Sequence, residues 1–300
     1  MAKVSLAELE AVTTVARLGG FRAAARELQV SSSALSHAIS ALEERLGVRL
    51  FNRTTRSVAL TDAGERFVTE VTPALSAIAD AVDQVGEQRG EPTGQLRLNM
   101  APGAARILFT PLLLDYMRRY PGVQVEIATD DALVDVMGQG FDAGVRLAEM
   151  VPPDMIAVPI VAEMRMVVVG SPAYFAGRPR PQVPQDLLDH TCIRARMSSG
   201  RIYHWEFERN GTALTIDVPG PLTLDDSGLM LEAALANAGL AFISEQAVAP
   251  ALADGRLVQV LDDWTPPYPG LCLYYSGRRN VPMRLRALID LIHAFRKSQA

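Results

Sequence analysis

Three consecutive serines, Ser31 to Ser33, stand at the predicted start of a helix, where side-chain hydroxyls commonly cap free backbone amides. In the next turn, Ser36 and His37 share the exposed face, opposite a row of apolar residues. A helix that enters the major groove of DNA presents short polar or bidentate side chains from its first turns. This face is therefore a candidate for base or phosphate contact. The alternative is that the serines only cap the helix.

Two arginines, Arg53 and Arg56, lie near the tip of a predicted hairpin over residues 48–61. In this stretch Val58 and Leu60 alternate with polar neighbours, which is typical of a short strand. Guanidinium groups on a hairpin beside such a helix are placed to contact DNA phosphates. The alternative is that both arginines only face solvent.

Three helices position these residues. Apolar spacing predicts a first helix over residues 4–17 and a second that begins at Phe21. A turn of about three residues leads to the third helix, which ends at Gly47 as its C-terminal cap. Two helices joined by so short a turn form a helix-turn-helix pattern, which is typical of DNA-binding domains.

A long helix is predicted from about Asp62 to Gln88, after a cap at Thr61. Its apolar residues recur every three or four positions, close to a heptad repeat. They are Phe67, Val71, Leu75, Ile78, Val82 and Val85. A single apolar stripe on a helix between two domains predicts contact with a second copy of the chain. The alternative is packing against the chain's own C-terminal body.

After helix breakers at 89–94, strands alternate with helices, which predicts an α/β fold with largely parallel sheets. Strands are predicted near 95–100, 123–128, 141–147, 164–169, 192–196, 204–209, 214–218, 240–244 and 270–275. Helices are predicted near 105–120, 132–139, 227–237, 246–253 and 282–297.

No catalytic or metal-binding motif occurs in the sequence. It has no His-x-x-x-His, Glu-x-x-His or Cys-x-x-Cys spacing, no Gly-x-Ser-x-Gly elbow and no Walker A loop. The aspartate pairs at 130–131, 225–226 and 262–263 are interpreted as caps or turns. Cys192 and Cys272 are interpreted as buried strand residues, with a redox pair as the alternative. The sequence therefore predicts no enzyme, no metal site and no cofactor.

Composition supports a globular protein of about two domains. The 300 residues are 49% hydrophobic and 21% charged, which excludes general disorder. No apolar run is long enough to predict a membrane span, and the charged N-terminus argues against a secretory signal, so we expect a cytoplasmic protein. Residues 1–61 carry a net charge of +3 and the remainder −8. This asymmetry is typical of a small module that faces a polyanion.

The string FRAAARELQVSSSALSHAISALEERLGVRLFNRTTRSVALTDAG, residues 21–64, strongly resembles the LysR-type transcriptional regulators. The shared positions are Ala24, Ala25, Ser36, Leu42, Glu43, Gly47, Leu50, Phe51, Arg53, Leu60, Thr61, Ala63 and Gly64. The resemblance extends over the whole chain, and the segment WEFERNG is similar to a subgroup with a Trp-x-Phe strand. It implies a winged helix-turn-helix at 1–61, a dimerising linker helix at 62–89 and an effector-binding domain at 90–300.

By the same resemblance, the effector domain has two lobes like a periplasmic binding protein, lobe I at about 95–162 and 269–300 and lobe II at about 163–268. The resemblance assigns Ser32, Ser33, Ser36 and His37 to DNA contact, with Arg53 and Arg56 on the wing. The ligand is expected between the lobes, at strand C-termini and helix N-termini. The candidate residues there are Pro102, Gly103, Ala104, Thr129, Arg146, Met197, Ser198, Asp226 and Ser227.

The sequence therefore predicts a DNA-binding transcriptional regulator controlled by a small-molecule effector. The alternative is a DNA-binding repressor that needs no effector. The expected partners are double-stranded DNA at an interrupted inverted repeat, a small effector such as a carboxylate and further copies of the chain in a dimer or tetramer. RNA polymerase joins them if the protein is an activator, and no membrane is expected.

Overall fold

The structure, a computed structural model, describes residues 4–53, 58–86, 91–130, 136, 138–277 and 281–299. It consists of an N-terminal helical domain, one long helix and a body of two lobes. The N-terminal domain and each lobe have their own clusters of buried apolar side chains. The predicted architecture of a winged helix-turn-helix, a linker helix and a two-lobed α/β domain is thereby confirmed.

The N-terminal domain is a helix-turn-helix with a hairpin. Its elements are α1 Leu6–Leu18, α2 Phe21–Glu27, α3 Ser32–Leu46, β1 Phe51–Arg53 and β2 Val58–Leu60. A capping box of Ser5 and Glu8 begins α1, and Gly19, with φ of 64°, ends it. The turn before α3 is closed by a hydrogen bond from the Val30 amide to the Ala25 carbonyl at 3.0 Å. The two strands pair antiparallel, as the sequence predicts for a wing.

The long helix, α4, spans Asp62–Gly86. Along its predicted apolar stripe, Leu75 is half-buried, whereas Ile78 and Val82 are 46% and 67% exposed. The side chain of Val85, which is the last residue of the predicted stripe, lies outside the described part of the chain, as do residues 87–90. The C-terminal half of the stripe is therefore open to solvent where the structure describes it.

A different face of α4 meets the body. A Cβ added at Gly140, on a turn of lobe I, would lie 2.8 Å from Cγ2 of Thr72 and 3.7 Å from Oγ of Ser76. Thr72 and Ser76 are one helical turn apart and next to the stripe rather than on it. Contact with the body therefore leaves Ile78 and Val82 available for another surface.

The body is built from alternating strands and helices. In chain order these are β3 Gly94–Met100, α5 Pro102–Leu108, α6 Leu114–Arg119, β4 Val123–Thr129, β5 Ala143–Leu147, β6 Met155–Pro159, β7 Glu163–Met164, β8 Met166–Gly170, α7 Pro172–Phe175, β9 Ile193–Ala195, β10 Trp205–Arg209, β11 Thr212–Ile216, β12 Leu222–Leu224, α8 Ser227–Leu235, β13 Ala241–Ser244, α9 Glu245–Ala253, β14 Val258–Val260, β15 Tyr268–Pro269, β16 Leu271–Ser276 and α10 Met283–Gln299.

Lobe I is a five-stranded sheet in the order β4-β3-β5-β16-β6. The pairs of β3 with β4 and with β5 are parallel, but β16 runs antiparallel to both of its neighbours. The apolar sides of α5, α6 and α10 cover this sheet through residues such as Leu108, Tyr116 and Leu288. The predicted helix over 105–120 is interrupted, since a π-turn at Phe109–Leu113 separates α5 from α6.

Lobe II is assembled around β8, which pairs antiparallel with β13 and β14. The hairpin of β10 and β11 and the parallel pair of β9 and β12 complete it. The prediction of largely parallel sheets is therefore wrong for this lobe and for the β16 side of lobe I. The physical reason is the chain path. In lobe II, β8 runs opposite to β13 and β14, which are parallel to each other and joined by α9, and in lobe I β16 returns antiparallel to β5 and β6.

The two lobes are joined by a short antiparallel ribbon. β7 and β15 are the two crossing segments, and Met164 lies opposite Tyr268. The Gly270 amide donates to the Ala162 carbonyl at 3.0 Å. A Cβ at this glycine would lie 2.2 Å from the Val161 carbonyl oxygen, so only glycine permits the close approach of the two crossings.

Two other predictions concern element bounds. The predicted helix at 132–139 lies largely outside the described residues. The sequence did not predict β6, β12 or β14, which are strands of three to five residues. Two of them, β12 and β14, have three residues each, which is too short to show a hydrophobic period.

Candidate functional site

The start of α3 carries the four residues assigned to DNA. Ser31 is the N-cap of the helix, since its hydroxyl accepts a hydrogen bond from the Ala34 amide at 3.1 Å. The hydroxyls of Ser31 and Ser33 lie 3.1 Å apart. Of the assigned residues, Ser32, Ser33 and His37 are exposed and Ser36 is half-buried. The structure thus presents all four along the open side of α3, opposite its buried face.

The wing is fixed to α3 by one carboxylate. Oε1 of Glu43 accepts hydrogen bonds from the backbone amides of Leu50 at 2.8 Å and Phe51 at 3.1 Å. Hydrogen bonds to an ionised carboxylate are stronger than those between neutral groups. Arg53 is the last residue of β1, and its side chain, like the whole of Arg56, lies outside the described residues.

The base of the wing is closed by a threonine and a glycine. The Thr61 hydroxyl donates to the Arg49 carbonyl at 2.7 Å and accepts from the Gly64 amide at 3.0 Å. A Cβ at Gly64 would lie 2.0 Å from the Leu50 carbonyl oxygen. The close packing of α4 against the wing therefore requires a residue without a side chain at position 64.

A cavity of about 400 Å³ lies between the two lobes of the body. Six of the nine predicted ligand residues line it, namely Pro102, Gly103, Ala104, Arg146, Asp226 and Ser227. Gly103 faces open space, because a Cβ there would have no atom within 4 Å. The loops that the sequence selected on both lobes thus meet at one cleft.

The other three predicted residues do not line the cleft. Thr129 is exposed at the end of β4. Met197 and Ser198 lie on an exposed turn that is closed by a hydrogen bond from the Gly200 amide to the Met197 carbonyl at 2.8 Å. Their neighbour Arg196 does reach the cleft. The loop selected from the sequence therefore borders the cleft through Arg196 and not through Met197 or Ser198.

Arg146 is 1% exposed and forms part of the lobe I framework as well as the cleft wall. Its guanidinium donates to Oδ1 of Asn99 at 2.6 Å, to the Asp130 carbonyl at 2.9 Å and to the Val145 carbonyl at 2.8 Å. These bonds join the ends of β3, β4 and β5. Arg146 thus brings positive charge to the cleft while it holds three strands in register.

Much of the remaining wall of the cleft is apolar and was not predicted from the sequence. The ring of Tyr203 stacks on Phe242, with centroids 6.4 Å apart and planes at 9°. Burial raises the pKa of Tyr203, whose hydroxyl donates to a carboxylate oxygen of Glu206 at 3.3 Å. Methionines 150, 164, 166 and 230 line the same cavity. Their sequence signal is the same as that of ordinary core residues, so only the fold identifies them.

A charged pair completes the cleft. Nη2 of Arg106, on α5, lies 2.8 Å from Oδ2 of Asp226, which caps α8 by accepting from the Leu229 amide at 2.9 Å. The Leu229 amide, followed by the Arg106 guanidinium, holds the pKa of the Asp226 carboxyl below its usual range. The capping role that the sequence gave Asp226 is therefore present together with a contact between the lobes.

The part of the chain that the structure describes also bears on metal-ligating clusters, membrane-spanning helices and the two cysteines. No cluster of three or more metal-ligating side chains occurs among these residues, and none of their helices is long and apolar enough to span a membrane. Both cysteines are buried. Burial raises the pKa of the Cys192 thiol to about 12 and also raises that of Cys272.

Two family profiles and a related regulator match the sequence of this chain. The sequence profile of the bacterial regulatory helix-turn-helix protein, lysR family, matches residues 6–65, and that of the LysR substrate binding domain matches residues 89–296. The HTH-type transcriptional regulator YcaN of Escherichia coli strain K12 is 43% identical over 290 residues, which cover 97% of this chain and 95% of that protein.

Two solved structures share the complete arrangement. The full-length structure of the Vibrio cholerae virulence activator AphB, described as a member of the LTTR protein family, has a TM-score of 0.66 at 23% identity and covers 97% of this chain and 99% of that one. CrgA, a LysR-type transcriptional regulator from Neisseria meningitidis, has a TM-score of 0.61 at 26% identity, with 98% and 99% covered. With a DNA-binding helix-turn-helix at one end and an effector-binding body at the other, the chain belongs to the LysR family of transcriptional regulators, which are not enzymes.

Proposed function

We propose that this regulator reads DNA through Ser32, Ser33, Ser36 and His37, while Arg53 and Arg56 of the wing contact phosphates. The observation that supports this is the open side of α3, where small polar side chains stand on a helix whose opposite face is fully buried. Hydroxyl and imidazole groups suit base edges or phosphates, and the wing arginines suit the backbone.

Salt-dependent binding tests the two roles separately. Ser36→Ala combined with His37→Ala should weaken specific binding by about 1–3 kcal/mol for each desolvated contact that is lost. Arg53→Ala should weaken specific and non-specific binding alike and lower the salt dependence by about one counterion. An unchanged salt slope in Arg53→Ala would remove the wing from the DNA contact.

We infer that two copies pair along α4 and place two α3 helices on an interrupted inverted repeat. Support comes from the exposed Ile78 and Val82, which the contact of α4 with lobe I leaves open. A tetramer would then form through the bodies. Leu75→Asp introduces a charge on the stripe and should lower both the molecular mass and the affinity for DNA. Light scattering that shows an unchanged mass would exclude the stripe as the dimer contact.

For the effector, we propose a small carboxylate bound in the cleft between the lobes. The supporting observation is a cavity of about 400 Å³ whose lining is largely apolar and includes three arginines, Arg106, Arg146 and Arg196, beside the carboxylates of Asp225 and Asp226. Apolar walls with a few placed polar groups are typical of small-molecule sites. Thr129, Met197 and Ser198, although outside the cavity, remain candidates for contact with a larger ligand.

A thermal-shift screen of carboxylates against matched amides tests this proposal, because a ligand that binds only the folded protein stabilises it. Gly103→Trp is the companion variant, since the indole should fill the cleft without a clash at Cβ. We expect normal DNA affinity and no response to the carboxylate that stabilises the parent. A full response in Gly103→Trp would place the effector elsewhere. If no carboxylate shifts the melting temperature, the effector-independent repressor is the better description.

A location and one further partner follow from this function. A regulator of this kind works where its promoters are, so we infer a cytoplasmic location. If the regulator activates its target genes, RNA polymerase is the partner that DNA-bound copies must contact.

A further inference from the structure

One side chain of lobe I reaches across the cleft to three consecutive residues of lobe II. Nη2 of Arg106 lies 2.8 Å from Oδ2 of Asp226, and Nη1 lies 3.4 Å from the Ser227 hydroxyl. A Cβ added to the next residue, Gly228, would lie 3.2 Å from Cζ of Arg106. Asp226, Ser227 and Gly228 therefore form one contact surface for the Arg106 guanidinium group.

Position 228 has little room for a side chain. Gly228 is the second residue of α8, and a Cβ here would lie 3.0 Å from Oδ1 of Asp226 as well as 3.2 Å from Cζ of Arg106. Alanine at this position would therefore require the Asp226 and Arg106 side chains to shift.

The arginine of the ion pair borders two cavities. Arg106 and Ser227 line both the ligand cleft and a second cavity of about 740 Å³, whose walls include Ile160 from lobe I and Leu231 from lobe II. The pair is a non-covalent link between the lobes, in addition to the ribbon of β7 and β15 that joins them covalently. Because its two partners belong to different lobes, the ion pair can fix the distance between the lobes.

The pair is also exposed enough to exchange partners. The side chains of Arg106 and Asp226 are 52% and 29% exposed. Ion pairs at such sites are weak, because water and salt compete for both charges. A second carboxylate that enters the cleft could therefore take the guanidinium from Asp226.

We propose that Arg106 and Asp226 form an interlobe latch, and that an anionic ligand competes with Asp226 for Arg106. The ligand part rests on the proposed function of the cleft as a carboxylate site. In the unliganded protein the latch holds the lobes in one arrangement. A bound carboxylate replaces the internal one, and it shifts the lobes only by the difference in its affinity for the latched and unlatched forms.

Distances between the lobes test the latch without any ligand. Spin labels at Gln124→Cys in lobe I and Glu208→Cys in lobe II are both at exposed sites, and the two native cysteines are buried. Labelled protein is diluted with unlabelled protein so that the pulsed electron resonance signal reports distances within one chain. Arg106→Gln and Asp226→Asn should both shift or broaden the distance distribution of the parent, and 500 mM NaCl should shift the parent towards the variants.

The variants separate the latch from helix capping. Asparagine is as good an N-cap as aspartate, so Asp226→Asn keeps the bond to the Leu229 amide and removes only the charge. Arg106→Lys, which keeps a cation, should restore part of the parent distribution. The control is Arg256→Gln, because Arg256 and Asp254 form an ion pair of the same 2.8 Å length within lobe II. Distributions that do not change in Arg106→Gln and Asp226→Asn would overturn the latch.

Titration calorimetry with sodium benzoate tests the competition, with benzyl alcohol as the uncharged probe of similar size. Removing an exposed competing ion pair should make benzoate bind Asp226→Asn about 1.5- to 5-fold more tightly than the parent. Arg106→Gln should bind it more weakly, and benzyl alcohol should not distinguish Asp226→Asn from the parent. Benzoate binding no tighter to Asp226→Asn than to the parent, including no binding at all, would overturn the competition.

The two proposals fail in different ways. If the distances change in the variants but no carboxylate binds, the latch stands and the proposed ligand class is wrong. If carboxylates bind the parent but the distances are the same in every variant, the ligand class stands and the latch is wrong.

Discussion

The DNA-reading end of this regulator and its ligand cleft are built over very different distances along the chain. In the N-terminal domain, the hydrogen bonds that cap α3 and fix the wing join residues 3, 7 and 12 positions apart; the Leu50 amide, for example, donates to the Glu43 carboxylate. In the cleft, Arg146 and Asn99 are 47 positions apart, and Arg106 and Asp226 are 120 apart. The first region is one small packed unit, whereas the second exists only where two separately packed lobes meet.

This difference has a functional meaning. A site formed within one small unit keeps its shape whatever the rest of the chain does, which suits a helix that must fit a fixed groove. A site formed between two lobes changes shape whenever the lobes move. The same chain thus combines a DNA-binding domain of fixed shape with a ligand cleft whose shape depends on how the two lobes are arranged.

The largest expected effect is the difference in stability loss between two glycine-to-alanine variants, one in each region. Gly64→Ala should destabilise the N-terminal domain by about 3 kcal/mol, since its Cβ would overlap the Leu50 carbonyl oxygen at 2.0 Å. Gly103→Ala in the cleft should change stability by less than about 0.5 kcal/mol, because its Cβ meets open space. Urea denaturation followed by circular dichroism, together with DNA binding, measures both. If the two variants lost the same free energy of unfolding, the N-terminal domain would not be more tightly packed at Gly64 than the cleft is at Gly103.

The next effect concerns the short-range bonds of the wing. Glu43→Ala leaves the amides of Leu50 and Phe51 without their acceptor and should cost about 1–2 kcal/mol. Glu43→Gln retains an acceptor oxygen and should lose less. The control is the exposed neighbour in Glu44→Ala, which we expect to unfold like the parent. If Glu44→Ala were as destabilising as Glu43→Ala, the two amide bonds would not be what fixes the wing.

A smaller effect, confined to lobe II, depends on pH. His190 is buried with Nδ1 3.1 Å from the Tyr174 hydroxyl, and burial lowers its pKa. The unfolded chain therefore takes up a proton at higher pH than the folded one, so stability falls as the pH drops below about 6.5. The slope should stay below about 1.4 kcal/mol per pH unit. His190→Gln should flatten the unfolding profile of lobe II, and an unchanged profile would exclude this histidine as the cause.

The smallest expected effect is no change at all in the thiols. Cys192 and Cys272 are both in the body, and burial raises both pKa values. Neither should react with a thiol reagent at pH 8 in the folded parent. In Gly64→Ala, both should stay unreactive while DNA binding is lost, which would show that the two regions unfold separately. Rapid labelling in that variant would show instead that the body depends on the N-terminal domain.

The same difference in chain distance explains what the sequence could predict. The helix-turn-helix, the wing and the linker helix follow from local spacing and capping residues, and they stand within a few residues of the predicted bounds. In the body, local chemistry and the two-lobed architecture that the resemblance implies selected three places, of which two border the cleft and the one at Thr129 does not. Arg106, Tyr203 and the methionines were not predicted, because their role depends on which distant residue faces them. The antiparallel return of β16 was missed for the same reason.

The ribbon of β7 and β15 makes lobe II an insertion in lobe I, since the body both begins and ends in lobe I, at β3 and α10. Both ends of the body therefore belong to one mechanical unit. Tension applied between them is carried by the sheet of lobe I and bypasses lobe II, which is loaded only after that sheet comes apart. Lobe II is therefore attached to the rest of the chain only through lobe I, so it can move relative to lobe I without carrying a force applied between the two ends of the body.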